Sequence, residues 1–290
     1  MRFALKRLRE RWRCTSASLG RTISFCTTCT GRRAHLEQTL PVNLATLARH
    51  AGRADLVLLD YGSRDGLGTW VRDRFGSELA TGLLRYARTD EPTVYHPAHA
   101  KNIVFRRARG EILFNLDADN FVGEGTCERL DALFAAGPRR FAVSSVQPDV
   151  GGRLGFLRED FEALGGWDER FRGWSLADFD LCERAREGLG LEQVDFISGS
   201  ALLHDDTERV CHMPQWSGSP EDDARELAAV PEERRAFATK LLARDPQLFR
   251  AYIHNRRLLA ERRSTGRVRA QLPGAYGRAR LVDVQGRNLA

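Results

Sequence analysis

The chain has 290 residues, of which 42% are apolar and 29% charged, a balance that suits one enzyme-sized globular domain and little else. No stretch approaches the apolar length that spans a bilayer, and the N-terminus lacks the apolar core of a signal peptide, so a cytoplasmic location is expected. The net charge of +6 sits in residues 1–21, where Arg2, Lys6, Arg7, Arg9, Arg11, Arg13 and Arg21 face Glu10 alone. An excess confined to one arm argues against nucleic-acid binding.

In that arm Phe3, Leu5, Leu8 and Trp12 alternate with the cations. Two readings stand: an amphipathic helix making peripheral contact with an anionic membrane or acidic partner through residues 1–20, and a solvated basic tail. Residues 22–27 read as a first strand that leads into Cys26-Thr27-Thr28-Cys29. No second pair of that spacing exists to complete a zinc site, and Cys211-His212 is a remote complement, so reduced, buried thiols are expected.

Residues 33–50 carry Leu36, Leu40, Leu44 and Leu47 at helical spacing. The apolar run 55–60 is a second strand ending in Asp60, and residues 67–75 read as a helix. A weak third strand falls at 83–86, and residues 98–108 form a helix around His99-Ala100-Lys101-Asn102. The next apolar run, 111–115, leads directly into Leu116-Asp117-Ala118-Asp119-Asn120. Such alternation predicts a mostly parallel sheet with helices on its faces, and open sheets of that kind bind ligands at the carboxyl ends of their strands. Two carboxylates one residue apart at such an end suit a divalent cation that carries a diphosphate. The competing role is a polar turn in which Asp119 or Asn120 caps the following helix.

Beyond it, residues 124–135 read as a helix, with strands at 141–146 and 153–158. Then comes Gly165-Gly166-Trp167-Asp168-Glu169-Arg170-Phe171-Arg172-Gly173-Trp174, followed by Ser175-Leu176-Ala177-Asp178-Phe179-Asp180. A helix is expected over 178–187 and short strands at 193–197 and 201–204. Residues 220–263 read as charged helices broken at Pro231 and Pro246. The boundaries follow as a basic arm (1–21), a catalytic domain (22–215), a helical extension (216–265) and a loosely attached tail (266–290).

The acidic strand ends and the Gly-Gly-Trp-Asp-Glu stretch resemble nucleotide-sugar glycosyltransferases of the α/β GT-A fold. The first half is similar to the large inverting family of cellulose, hyaluronan and chondroitin synthases. The second is similar to the galactosyltransferase-type motif of β-1,4-galactosyltransferases and polypeptide N-acetylgalactosaminyltransferases. The resemblance, over residues 22–212, implies a UDP-sugar donor and a manganese cofactor, with magnesium as the alternative. It implies that Asp60 meets the nucleobase or ribose, that Asp65 shapes the base pocket or its turn, and that Lys101, in place of a usual Arg, faces the diphosphate. Asp117 is implied to face the ribose, Asp119 to ligate the metal directly, and His204 to supply a third ligand, with Asp205, Asp206 and His212 as competitors. Asp178 aligns with the catalytic base, and Trp174 is placed to stack on a sugar. A Glu is usual where this chain has Ala177, which implies a different or weaker hold on the acceptor.

The expected activity is inverting transfer of a hexose or N-acetylhexosamine to the hydroxyl of a glycan, peptide or small metabolite. Two alternatives remain at this point: a catalytically weak nucleotide-sugar-binding or scaffold protein, and a nucleotidyltransferase sharing the nucleotide-binding half.

Overall fold

The computed structural model describes residues 19–91, 94–136, 139–144, 152–173, 176–196, 199–202, 214–270 and 276–289. The basic arm up to residue 18, Trp174 and the stretch 203–213 that contains His204 lie outside the described residues.

Strands β1 (Ile23–Cys29), β2 (Ala54–Tyr61), β3 (Leu84–Thr89) and β4 (Ile112–Asn115) pair in parallel in the spatial order β4-β1-β2-β3. Every residue of β1 is buried, as a parallel strand covered on both faces requires. Successive side chains leave opposite faces of a strand, and the two cores divide accordingly. Phe25, Leu56, Leu58 and Phe114 pack on one face, against Leu36, Leu40, Leu44 and Leu47 of α1 (Arg33–Ala48). Cys26, Val57, Leu59 and Leu113 pack on the other, against Ile103, Val104 and Phe105 of α4 (Pro97–Arg107). Helices α2 (Leu67–Arg74) and α3 (Gly76–Thr81) join β2 to β3, and α5 (Thr126–Ala135) follows β4. The same alternation sends Cys26 and Cys29 to different cores, so the pair cannot grip one zinc ion. Burial pushes the Cys29 thiol up to about 12 and Cys26 well above its ordinary value.

Beyond β4 the sheet turns mixed. Strand β6 (Leu154–Leu157) runs antiparallel to both β4 and β5 (Arg140–Val143), and β7 (Glu192–Asp195) lies parallel to β5. The Asp117–Asp119 turn thus leaves the C-terminal edge of the parallel block where the strand direction changes. At the opposite edge the expected loose tail is tied down. Strands β8 (Leu281–Val282) and β9 (Asn288–Leu289) extend the sheet from β3, and Gly277 N donates to Glu169 Oε1 at 2.6 Å. Two-residue strands are too short to leave a periodic signature, which is why the sequence reads as irregular there.

Helix α6 (Arg158–Leu164) leads to the Gly165-Gly166 turn, and α7 (Ala177–Glu183) continues into a single wide π turn, Arg184–Gly188. The extension comprises α8 (Pro220–Ala228), α9 (Glu232–Arg244) and α10 (Pro246–Thr265), around a small core of Val230, Leu241, Leu248 and Phe249. Pro231 and Pro246 stand at the starts of α9 and α10, as the breaks predicted. The extension is bolted to α7 by charge. Asp180, fully buried, accepts from Arg184 Nε at 2.7 Å and Arg262 Nε at 3.1 Å, and Glu183 pairs with Arg262 and Arg263. Arg184 in turn donates to the carbonyls of Leu164 and Gly166, both at 2.8 Å. Removing one member of a buried ion network leaves the others uncompensated, so Asp180→Asn is expected to cost about 3–5 kcal/mol of stability in urea unfolding. A cost below about 1 kcal/mol would show that the carbonyls alone satisfy Arg184.

Candidate active site

Four sequence-remote segments meet at the end of β4. Lys101 Nζ, on α4, donates to both oxygens of Asp178, at 2.9 and 3.0 Å. Trp167 Nε1 donates to Asp178 Oδ1 at 2.8 Å. Trp167 is itself fully buried against Phe105 and Phe161, so it is both core and a fixed donor. Its backbone is clasped by the next residue of α4: Asn102 Oδ1 accepts from Trp167 N and Asn102 Nδ2 donates to Trp167 O, each at 2.9 Å. Gly166 must be glycine for this clasp, since it has φ +70° and a Cβ there would lie 2.4 Å from Asn102 Oδ1. Asp178 stands in the first turn of α7, entered through Leu176 at φ 67°, the one non-glycine residue with positive φ among the described residues. Holding a leucine there costs about 1–2 kcal/mol, and such strain collects at functional sites.

The fourth segment is Gly152, just before β6. A Cβ on it would lie 3.2 Å from Asp178 Oδ2, 3.9 Å from Lys101 Nζ and 4.0 Å from Asp117 Oδ2. The space above this glycine is therefore where the base candidate, the cation and the first carboxylate of the strand end converge. With φ +92° at Gly152 as well, Gly152→Ala is expected to cost about 1–3 kcal/mol of stability. By displacing Asp178 it should also slow transfer on the order of a hundredfold. Thermal unfolding and a transfer assay check the two effects, and a fully active variant would remove the site from this spot.

The carboxylates of the turn are held by neighbours to which the sequence assigned no such role. Asn115 Nδ2 donates to Asp117 Oδ1 at 3.1 Å and to Gly152 O at 2.9 Å. Asn120 Nδ2 donates to Asp119 Oδ1 at 2.8 Å, while its Oδ1 accepts from the buried Arg153 Nε at 2.7 Å. From below, Thr39 Oγ1 donates to Ala118 O at 2.7 Å and Asn43 Nδ2 to Asn120 O at 2.9 Å. Thr39 and Asn43, four residues apart and buried among the leucines of α1, were the available signal: polar groups on an apolar helix face need a partner. Gly151-Gly152-Arg153 ahead of a strand was another.

Burial raises the Asp117 carboxyl above its ordinary range, the Asp119 and Asp178 charges add to this, and Lys101 and Asn115 oppose it. Burial likewise brings Arg153 down to about 10, against the pull of Asp117 and Asp119. For Lys101 burial works against the charge, but Asp178 and Asp117 outweigh it and the ammonium is held above its ordinary value. Asp60 and Asp65 are placed differently. Asp60 is fully buried, and its oxygens accept from Ser63 N at 2.8 Å, Tyr86 Oη at 2.7 Å and Arg88 Nη1 at 2.8 Å. Asp65 accepts from Arg33 N at 2.8 Å and Leu67 N at 3.2 Å, so it ties the starts of α1 and α2 together in the turn role.

The family described as Glycosyl transferase family 2 matches residues 24–183, more than half of the chain. The chain belongs to glycosyl transferase family 2. All four segments fall inside the matched span, whereas α8 to α10 lie beyond it. Two solved structures share the GT-A fold along most of their length. One is the mannosyltransferase PcManGT from Pyrobaculum calidifontis in complex with GDP-Man and Mn2+. It is 19% identical, with 93% of this chain and 83% of that chain covered and a TM-score of 0.54. The other is TarS 1–349 from S. aureus, 12% identical over 92% of this chain and 98% of that one, with a TM-score of 0.50. Curated protein sequences give no match.

The donor set of this family 2 chain fits a hard divalent cation. Asp117 and Asp119 offer carboxylate oxygens whose mutual repulsion is felt at Asp117, and a cation bound between them would relieve it. Among the described residues no group of three His, Cys, Asp or Glu side chains gathers round one point. His204, the third ligand expected from the sequence, lies outside those residues, as do Asp205, Asp206 and His212.

Proposed function

We propose that this glycosyltransferase moves a hexose or N-acetylhexosamine from a UDP-sugar to an acceptor hydroxyl, with metal assistance and inversion at the anomeric carbon. The observation that carries the reading is the convergence of Asp178, Lys101 and Asp117 above Gly152. It supports reading Asp178 as a proton acceptor and Lys101 as a cation for an anionic leaving group, beside a carboxylate of the strand end. Family 2 membership supports sugar transfer, and the mannosyltransferase that shares the fold holds a nucleotide sugar with Mn2+.

In the reaction the acceptor oxygen attacks the anomeric carbon from the face opposite the nucleotide. The bond from that carbon to the β-phosphate oxygen breaks, and the nucleoside diphosphate leaves with the electron pair. The acceptor proton passes to Asp178 Oδ2, the oxygen facing Gly152, while Trp167 Nε1 holds Oδ1 and fixes the plane of the carboxylate. Lys101 contributes positive charge beside the departing diphosphate. Asp117 and Asp119, with His204, would hold the divalent ion, manganese in preference to magnesium because a histidine ligand favours a transition metal. Its chemistry when bound is neutralisation of charge on the leaving group. Trp174 is proposed to stack on a sugar face, and Ala177, in place of the usual Glu, leaves the acceptor to be gripped elsewhere.

The test is a panel of UDP- and GDP-sugars incubated with the protein and manganese. Slow hydrolysis of one donor, faster with an acceptor, is the expected result. Nucleotide binding without turnover would favour the binding-protein alternative, and the absence of any nucleotide binding would overturn the proposal.

A further inference from the structure

Lys101 Nζ spends two of its three N–H donors on Asp178 and stands between that carboxylate and the strand end at Asp117 where a diphosphate would sit. Its ammonium bridges both oxygens of Asp178 and also feels the charge of Asp117, across the narrow space above Gly152, where a Cβ would lie 3.2 Å from Asp178 Oδ2 and 3.9 Å from Lys101 Nζ. The lysine is 11% exposed and Asp178 37%, so the pair is screened by solvent mainly from the side of Asp178. A nucleoside diphosphate seated against Asp117 and Asp119 brings two or more negative charges to that space. Attraction between unit charges at contact distance is far stronger in such a cleft than in bulk water. A carboxylate with both oxygens on one ammonium is also badly placed to take a proton from a hydroxyl.

We infer that Lys101 is a positioning residue exchanged between the base and the donor: it masks Asp178 before donor binds and moves to the diphosphate when donor binds. The inference rests on reading Asp178 as the base and the site as one for a nucleotide sugar. Trp167 Nε1 stays on Oδ1 throughout, since its ring is locked in the core. Freed of Lys101, Oδ2 faces the acceptor. Donor binding and base release then become one event, and a bound acceptor meets a masked carboxylate until the donor is in place.

The exchange has a signature in binding alone, without turnover. If Asp178 competes with the nucleotide for Lys101, Asp178→Asn should tighten binding of the diphosphate. Calorimetric titration with UDP and manganese is expected to show affinity about threefold to tenfold higher in Asp178→Asn than in the unaltered protein. Uridine, which has no diphosphate, should show no change. In a Lys101→Met background the same Asp178→Asn change should alter UDP affinity by less than about twofold, because no cation is left to release. Lys101→Gln replaces Lys101→Met if thermal unfolding shows that the methionine variant does not fold.

Equal tightening in both backgrounds would mean plain charge repulsion between Asp178 and the ligand, and would overturn the exchange. So would unchanged UDP affinity in Asp178→Asn. Unaltered protein that binds neither UDP nor GDP would instead overturn the functional reading, and the exchange with it.

Discussion

Asp178→Asn will lower sugar transfer by about a hundredfold to ten-thousandfold, the contribution of a positioned general base. The amide keeps the size of the carboxylate and can still accept from Trp167 Nε1, the 2.8 Å bond that orients the side chain, but it cannot take the acceptor proton. Lys101 couples this position to the nucleotide, so the rate is to be measured at saturating donor, where any gain in donor affinity drops out. Thermal unfolding of the variant separates lost chemistry from lost structure. Asp180→Asn serves as the contrast: two residues away and wedged between Arg184 and Arg262, it should lose stability first and chemistry only as a consequence. Transfer by Asp178→Asn at the rate of the unaltered protein would show that another group takes the proton.

Asp119→Ala should weaken manganese-dependent nucleotide binding by about a hundredfold. Loss of a mere supporting hydrogen bond at a metal site costs about tenfold to a hundredfold, and a direct ligand belongs at or above the upper end. The Asn120 and Arg153 partners behind it would remain, so the fold should survive. Paired with His204→Ala, the substitution also tests the third ligand. If both side chains hold one ion, the double variant should bind little worse than the weaker single variant. Titration of manganese in the presence of UDP or GDP reads the result. Fully additive losses would mean two independent sites, and normal metal affinity in His204→Ala would pass the role to Asp205 or His212.

The local pattern of the chain determined a good deal. Strands β2 and β4 are built on continuous apolar runs, and such runs are legible because a strand buried on both faces has no polar side to confuse the period. Helices α1 and α4 announce themselves by spacing, and Pro231 and Pro246 by backbone chemistry. The acidic strand end at Asp117 and Asp119 and the Gly-Gly-Trp segment are short motifs whose residues are contiguous, so they too can be read in one dimension.

What only the tertiary structure decided are the pairings between those motifs. Lys101 and Asp178 are 77 residues apart, and nothing in either segment says that the ammonium of one would sit on both carboxylate oxygens of the other. Gly152 looks like any loop glycine until Asp178, Lys101 and Asp117 are seen around it. Asp60 and Asp65 carry the same chemical signal as Asp117, and only the fold shows that Tyr86, Arg88 and two helix starts donate to their oxygens. The strands at 281–282 and 288–289 likewise take their conformation from the edge of β3, because two-residue segments have too little propensity to fold without it. A carboxylate's task is set by which donors reach it first, and that depends on packing across the chain, which no local period encodes.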